Sequence, residues 1–483
     1  MRLTTTLRAV RGLLIAASVP VVVTTLPGGV PCCELSYELK PDPETGVVDV
    51  TLEIHGFHGD TLVLTRPSSR PLVGLLGQDP VVDGVPRGGW GLAEGEPRWS
   101  YSRPEGGWNA PIRVRYRLTI TSHRPLNAWS VGLDRDLLYA PSEALFLLPA
   151  MPESASRNAR VQVRWDLPRD WRSFTGWSED VFYGTRRLLK TNILAGDIEL
   201  TEASACGLEI DIAVYGEWTF DPADLASDMG RLACAARYRL GPPTAERYAV
   251  TLVPARFPMT SGNRNGPSAI GFVHLLPDGG PPPTRLLAHE IVHQWQRFDA
   301  EMWFHEGVND YMGMRLAHEA RLIDDARLAE LISGIDSIYR SHPHSATWTF
   351  ADEARDAPPF GPSDEYLGYR KGALVGLALD RELRLRTGGE ADLAALWRDM
   401  NKRSAWGHVR WSDAEIADLA AAHAGGSMSR FFARWVDGTE MLAPPDRLLA
   451  GLPSPETLPT RSRGLGALAA IFELVLGPAV FTR

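Results

Sequence analysis

A chain of 483 residues exceeds what one ordinary hydrophobic core organises, so two or three domains are expected. Hydrophobic residues at 44% and charged residues at 23% place it among soluble globular proteins and set disorder aside. A net charge of −9 without any dense Lys/Arg run excludes nucleic acid as the expected partner.

The first thirty residues stand apart. Arg2, Arg8 and Arg11 precede an apolar stretch from Leu13 to Leu26, and Pro27-Gly28-Gly29-Val30-Pro31 follows. Basic, apolar and small segments in that order form the layout of a secretory signal, so 1–31 reads as a signal peptide or N-terminal anchor. The chain is then expected to be exported, periplasmic or secreted, with any membrane association made through this segment. Its apolar part is short for a span and contains Pro20, which favours export over permanent anchoring. Pro31 directly before Cys32 fits a lipidation site poorly. In an exported chain Cys206 and Cys234 either pair as a disulfide or lie as two buried thiols, and the sequence does not choose.

From Cys33 to Glu217 the pattern is that of strands. Ile112 to Ile120 alternates apolar and polar residues without a break, as do Val161–Trp165 and Leu208–Ile212. Turn-rich stretches such as Asp83-Gly84-Val85-Pro86-Arg87-Gly88-Gly89 separate such runs. An antiparallel β-sandwich or saddle is expected over 33–217, and no catalytic cluster occurs there. After Phe220 the texture changes. Asp224–Leu240 reads as an amphipathic helix and Tyr248–Val253 as a strand. A second strand, Ala269–Leu276, leads through Pro281-Pro282-Pro283 into helical sequence that continues to about Leu452. The apolar stretch Gly464–Phe481 contains Glu473 and reads as a helix packed on the body rather than a membrane span.

Within the helical part stands Leu286-Leu287-Ala288-His289-Glu290-Ile291-Val292-His293-Gln294-Trp295. On a helix His289 and His293 project from one face, so their imidazoles can converge on a single zinc ion. Leu287, Ile291 and Trp295 form another stripe at the same spacing and would anchor the helix in the core. Glu290 is placed to take a proton from a metal-activated water. A catalytic zinc usually takes three protein ligands. Asp299 would serve only if the helix ended in time, and Gln296 stands where a glycine turn would be needed. Glu306, in Trp303-Phe304-His305-Glu306-Gly307-Val308-Asn309-Asp310-Tyr311, is the favoured third ligand, because a carboxylate opening a second helix can reach the first one's metal face. Asp310, one turn on, would orient a ligand histidine through its other nitrogen, while His305 would point elsewhere.

These segments resemble the glycyl-aminopeptidase family of the thermolysin-like (gluzincin) zinc peptidases. His289–Trp295 looks like its zinc helix and Trp303–Tyr311 like its third-ligand helix. Tyr369-Arg370-Lys371-Gly372-Ala373-Leu374, continuing to Asp380, resembles its tyrosine-bearing helix, and Phe431–Glu440 resembles the end of its helical domain. The match spans roughly 220 to 452. It implies a multidomain α+β protein, with a β-rich domain at 33–217, a catalytic domain at 220–330, an α-helical domain at 331–452 completing the site, and a tail at 453–483. It also implies one zinc per chain and a peptide or protein substrate, with Tyr369 donating a hydrogen bond to the oxyanion.

Three departures refine the expectation. The spacer between His293 and Glu306 is shorter than is usual for the family. The family's amine-binding strand motif has its best counterpart in Ile270-Gly271-Phe272-Val273-His274, with Val273 in place of the glutamate. Only about thirty residues follow Gly451, too few for the peptide-binding PDZ module that such chains often carry. An apolar residue cannot neutralise an ammonium group, so the expected activity is peptide-bond hydrolysis, endo- or exo-. The strand over 269–276 would pair with the substrate, Gly271 allowing close approach. Two alternatives stand beside it: an aminopeptidase whose amine-binding acid comes from elsewhere, such as Asp278, and an exported binding protein holding zinc without catalysis. Oligomeric state is not legible.

Overall fold

The computed structural model describes residues 33–452, apart from 67–75, 77, 86–88, 94–95, 106, 109–110, 124, 126–128, 178, 255–259, 265–268, 275–283, 357–365, 405–408 and 451. The N-terminal segment 1–31, Asp278 and the tail 453–483 therefore lie outside the described residues.

Strands β1 (Glu34–Asp42), β2 (Val47–His55), β3 (Ile112–Thr119) and β4 (Arg160–Trp165) form the centre of a six-stranded sheet, in the order β4-β1-β2-β3. The alternation in the sequence is met residue by residue. Ile112, Val114, Tyr116 and Leu118 of β3 are buried, while Arg113 and Arg117 face out and donate to Glu53 and Asp49 across on β2. The sheet is not wholly antiparallel, because β1 pairs with β4 in parallel. Two four-stranded sheets complete this β-rich part.

The second part is built on a five-stranded sheet: β5 (Glu199–Ala205), β6 (Leu208–Val214), β7 (Arg247–Pro254), β8 (Thr260–Arg264) and β9 (Ala269–His274), in the order β5-β6-β7-β9-β8. Strands β5 and β6 thus belong here and not to the N-terminal sheets, as an expected boundary at 217 would have it. Helix α1 (Pro222–Leu240) links β6 to its parallel neighbour β7 and lays Leu225, Met229, Leu232 and Ala236 on the sheet. Asp221 caps it by accepting from the Ala223 N–H, with Pro222 at the first helical position. Cys206, in the β5–β6 turn, is joined to Cys234 of α1 by a disulfide.

Beyond the sheet come α2 (Thr284–Val292), α3 (Asn309–Glu319), α4 (Asp325–Ser341), α5 (Leu367–Thr387), α6 (Leu393–Arg403) and α7 (Asp413–Ala424), with short helices between and after them. One continuous hydrophobic core runs from Leu208 to Leu448, so the sheet and the helices up to 452 share an interior. A smaller cluster, with Leu137, Tyr139 and Leu194 on one side and Ala213, Tyr215 and Val253 on the other, ties this unit to the β-rich one. No helix among the described residues is long and apolar enough to cross a membrane.

Candidate metal centre

Helix α2 is held as its sequence pattern requires. Leu287, Ile291 and Trp295 are buried in the core, and His289 and His293 share the other face with ring centroids 5.1 Å apart. The helix does stop early, without a glycine. It gives way after Val292 to a tight turn, His293–Trp295, whose carbonyls find partners outside the helix. The Thr244 N–H donates to Gln294 O at 2.6 Å, and Asn401 Nδ2 and Trp397 Nε1 donate to Trp295 O at 2.5 and 2.9 Å.

The chain returns through a six-residue π-helical turn, Trp303–Val308, that runs directly into α3. This wide turn carries Glu306. Its Oε2 lies 3.1 Å from His289 Nε2 and 3.6 Å from His293 Nε2. The three ligand-type atoms fall within 4.8 Å of one another, and both histidines are buried. A tetrahedral zinc with bonds of about 2.0–2.1 Å needs its ligand atoms about 3.3 Å apart. Those separations bracket that value, and the nitrogen, nitrogen, oxygen donor set is one zinc accepts, so the residues fit the ion. Asp299 stands outside the group, half-exposed, with its Oδ1 3.5 Å from His305 Nδ1.

The charges are set by this packing. Burial disfavours an ionised Glu306, but the two facing imidazoles overcome it and hold the carboxyl well below its ordinary range. Burial likewise opposes a charged His289, yet Asp310 and Glu306, with Glu290 adding its charge, push it up to about 10 without a metal. Asp310 lies 3.7 Å from His289 Nδ1, a charge contact rather than a full hydrogen bond. The Asp310 carboxylate is held below its usual range against burial by the Arg285 guanidinium and by His289. Arg285 grips it with two hydrogen bonds, one of 3.1 Å, and Arg370 stands 4.0 Å away. Arg285 lies one turn before His289 on the same helix, a signal present in the sequence and missed.

Glu290 is buried beside His289, and its charge acts on both His289 and Tyr369. Tyr369 opens α5, with its ring stacked on His289 at 6.2 Å between centroids. Burial, then the carboxylates of Glu306, Glu290 and Asp310, keep its phenol proton on far above neutrality. Glu353 fixes this helix start by accepting from the Leu367 N–H and, at 2.6 Å, the Gly368 N–H. Sequence reasoning also missed Asn309, whose Nδ2 donates to His289 O at 2.8 Å and ties α3 to α2. His305 corrects an expectation. Far from pointing elsewhere, its ring faces His293 at 5.2 Å and its Nε2 lies 3.7 Å from Glu306 Oε1. His305 is thus carried on the π turn at the edge of the site.

The β9 expectation changes as well. Gly271 pairs with Thr251 of β7 on one side and Asn263 of β8 on the other, and Val273 with Val253 and Ser261, so both edges of β9 are used. Among the described residues β8 is the terminal strand on this side of the sheet, and it runs beside α2.

No protein-family model and no curated sequence matches the chain. Solved structures do. An aminopeptidase N family protein from Idiomarina loihiensis superposes with a TM-score of 0.69 at 18% identity, covering 85% of this chain and 77% of that one. The M1 zinc metallopeptidase from Deinococcus radiodurans gives 0.51 at 18% identity, covering 86% and 96%. A mutant of the latter, bound to a Tyr-Ser-Ala substrate, gives 0.50 at 17% identity, covering 88% and 96%. The chain has the fold of the M1 zinc metallopeptidases. That fold is mixed α+β, with several sheets followed by a helical C-terminal region, and the chain carries an HExxH sequence from His289, on α2, to His293, which opens the tight turn after it.

Proposed function

We propose that the chain is a zinc peptidase that hydrolyses peptide bonds, with His289, His293 and Glu306 as the ligands of one zinc ion. The observation that carries this reading is the convergence of two imidazole nitrogens and a carboxylate oxygen, with Glu290 and Tyr369 flanking the same face. Bound there, zinc supplies Lewis acidity that sharpens both a water nucleophile and a polarised carbonyl. Every other part of the reaction falls to the chain's side chains. Asp310 faces His289 Nδ1 and favours the tautomer whose Nε2 lone pair is free for a metal. The Glu290 carboxylate takes the proton of the attacking water and returns it to the leaving amine. The Tyr369 hydroxyl, kept protonated, donates to the oxyanion of the tetrahedral intermediate. The outer edge of β8, Thr260–Arg264, which no strand of the described residues covers, offers backbone groups to an extended peptide alongside α2. The Tyr-Ser-Ala ligand of the Deinococcus relative supports a peptide as the substrate class. We place the protein outside the cytoplasm on the strength of the N-terminal segment alone.

The test is Glu290→Gln. Turnover of a peptide substrate is expected to disappear while zinc content stays at one per chain, by metal analysis of the purified variant. Retained hydrolysis in that variant overturns the assignment. Aminopeptidase action is the second reading, favoured by the Idiomarina likeness. Free and N-acetylated forms of one peptide separate the two, since an endopeptidase accepts the blocked terminus.

A further inference from the structure

A hydrogen-bonded bridge lies beside the metal-facing atoms. Gln296 is buried just after the tight turn, and its side chain bridges two histidines. Its Oε1 lies 2.8 Å from His293 Nδ1, and its Nε2 lies 2.9 Å from His305 Nδ1. His305 in turn presents Nε2 to Glu306 Oε1 at 3.7 Å, while Glu306 Oε2 faces His293 Nε2 at 3.6 Å. Two hydrogen bonds thus join His293, Gln296 and His305, and two longer charge contacts continue the circuit from His305 to Glu306 and back to His293.

Only one polarity suits this circuit if the centre holds a metal, so the argument rests on the zinc reading above. His293 ligates through Nε2 only when that nitrogen has its lone pair free, which puts the ring proton on Nδ1. Nδ1–H then needs an acceptor, and the Gln296 carbonyl oxygen is the atom in reach. The amide's other end can only donate, so His305 Nδ1 accepts and the His305 proton lies on Nε2. Nε2 then lies 3.7 Å from Glu306 Oε1, a charge contact of the same length as that between Asp310 and His289. Asp299, at 3.5 Å from His305 Nδ1, is the more distant neighbour of that nitrogen and does not compete with the amide.

We propose that Gln296 and His305 form a positioning relay that sets the tautomer of one metal ligand and the orientation of another. Gln296 holds His293 in the ligating tautomer, and His305 both fixes the Gln296 amide and steadies the outer oxygen of Glu306. Neither residue touches the substrate. Their effect is on how tightly and in what geometry the three ligands take the ion, as outer hydrogen bonds do at histidine-ligated metals.

The experiment compares Gln296→Met, which keeps the length and removes both hydrogen bonds, His305→Phe, which keeps a ring against His293, and the double variant. Zinc affinity is read by competition with a chromogenic chelator, and ligand geometry by the visible spectrum of the cobalt-substituted proteins. Melting of the metal-free forms checks that each variant is folded. Gln296→Met is expected to bind zinc about 10- to 100-fold more weakly and His305→Phe several-fold more weakly, both with altered cobalt spectra. The double variant should lose little more than Gln296→Met, because both substitutions break one chain. Wild-type affinity in either folded single variant, or losses that multiply in the double variant, overturns the relay. A wild-type chain that takes up no zinc at all overturns the metal reading beneath it, and that result is seen before any variant is made.

Discussion

At the scale of single residues, the centre shows how burial and pairing assign roles. Glu290 and Glu306 are both glutamates near His289, yet only Glu306 has its carboxylate between two imidazole nitrogens. Tyr369 stands across His289 with its proton held on by burial and by three carboxylates. A donor that stays protonated suits an oxygen that gains charge only in the transition state. Tyr369→Phe is therefore expected to lower kcat by about 10²- to 10³-fold, while KM and bound zinc change little. Steady-state kinetics with zinc analysis read this directly, and a KM effect with intact kcat would instead make Tyr369 a binding residue. The histidine pair and Glu290 were legible because they lie within about one helical turn, and Glu306 because it stands in a second helical segment able to reach back to the first. Gln296 and His305 were not, since their meeting depends on a helix that breaks after Val292 and a π turn that brings the chain back.

At the scale of elements, the centre depends on how closely α5 approaches the Glu306 turn. Gly307 and Gly372 meet backbone to backbone: a Cβ on Gly372 would lie 2.4 Å from Trp303 O and 3.0 Å from Gly307 Cα. Gly372 lies one turn beyond Gly368, so Tyr369 is carried on the part of α5 that this contact locates. Gly372→Ala is expected to cost about 1–3 kcal/mol of stability through overpacking. It should also depress activity, because Tyr369 moves relative to Glu306. Urea unfolding and kcat on the zinc-loaded variant check both, and wild-type values of both would show that the contact is not needed. The exchange of β9 for β8 as the open edge belongs to this scale. Alternation and glycine identify strands locally, but which strand ends a sheet is decided by partners far along the chain.

At the scale of the molecule, the helical region packs on the sheet and shares one core with it. The Cys206–Cys234 bridge locks the β5–β6 turn to α1 on this sheet, across a separation of 28 residues. Closing a loop of that length is worth about 3.6 kcal/mol in the chain-entropy account. The double variant Cys206→Ser, Cys234→Ser should lose stability of about that size in urea unfolding. Zinc content should be retained, since neither cysteine is among the converging residues. Unchanged stability would mean that the pair is not oxidised in the native protein.

What the sequence determined by itself is what short-range periodicity carries. A strand shows its buried face at every second residue, and a helix sets His289 and His293 together four residues apart. Glu306 and Tyr369 could be named from the segments around them. The tertiary structure decided everything that joins distant stretches. It ended α2 with donors from Thr244, Trp397 and Asn401 to the carbonyls of the turn and, among the described residues, set β8 rather than β9 at the end of the sheet. It also turned His305 inward and paired Asp310 with Arg285. Those outcomes depend on which groups are left unsatisfied once the core has packed, and a backbone polar group finds its partner only in three dimensions.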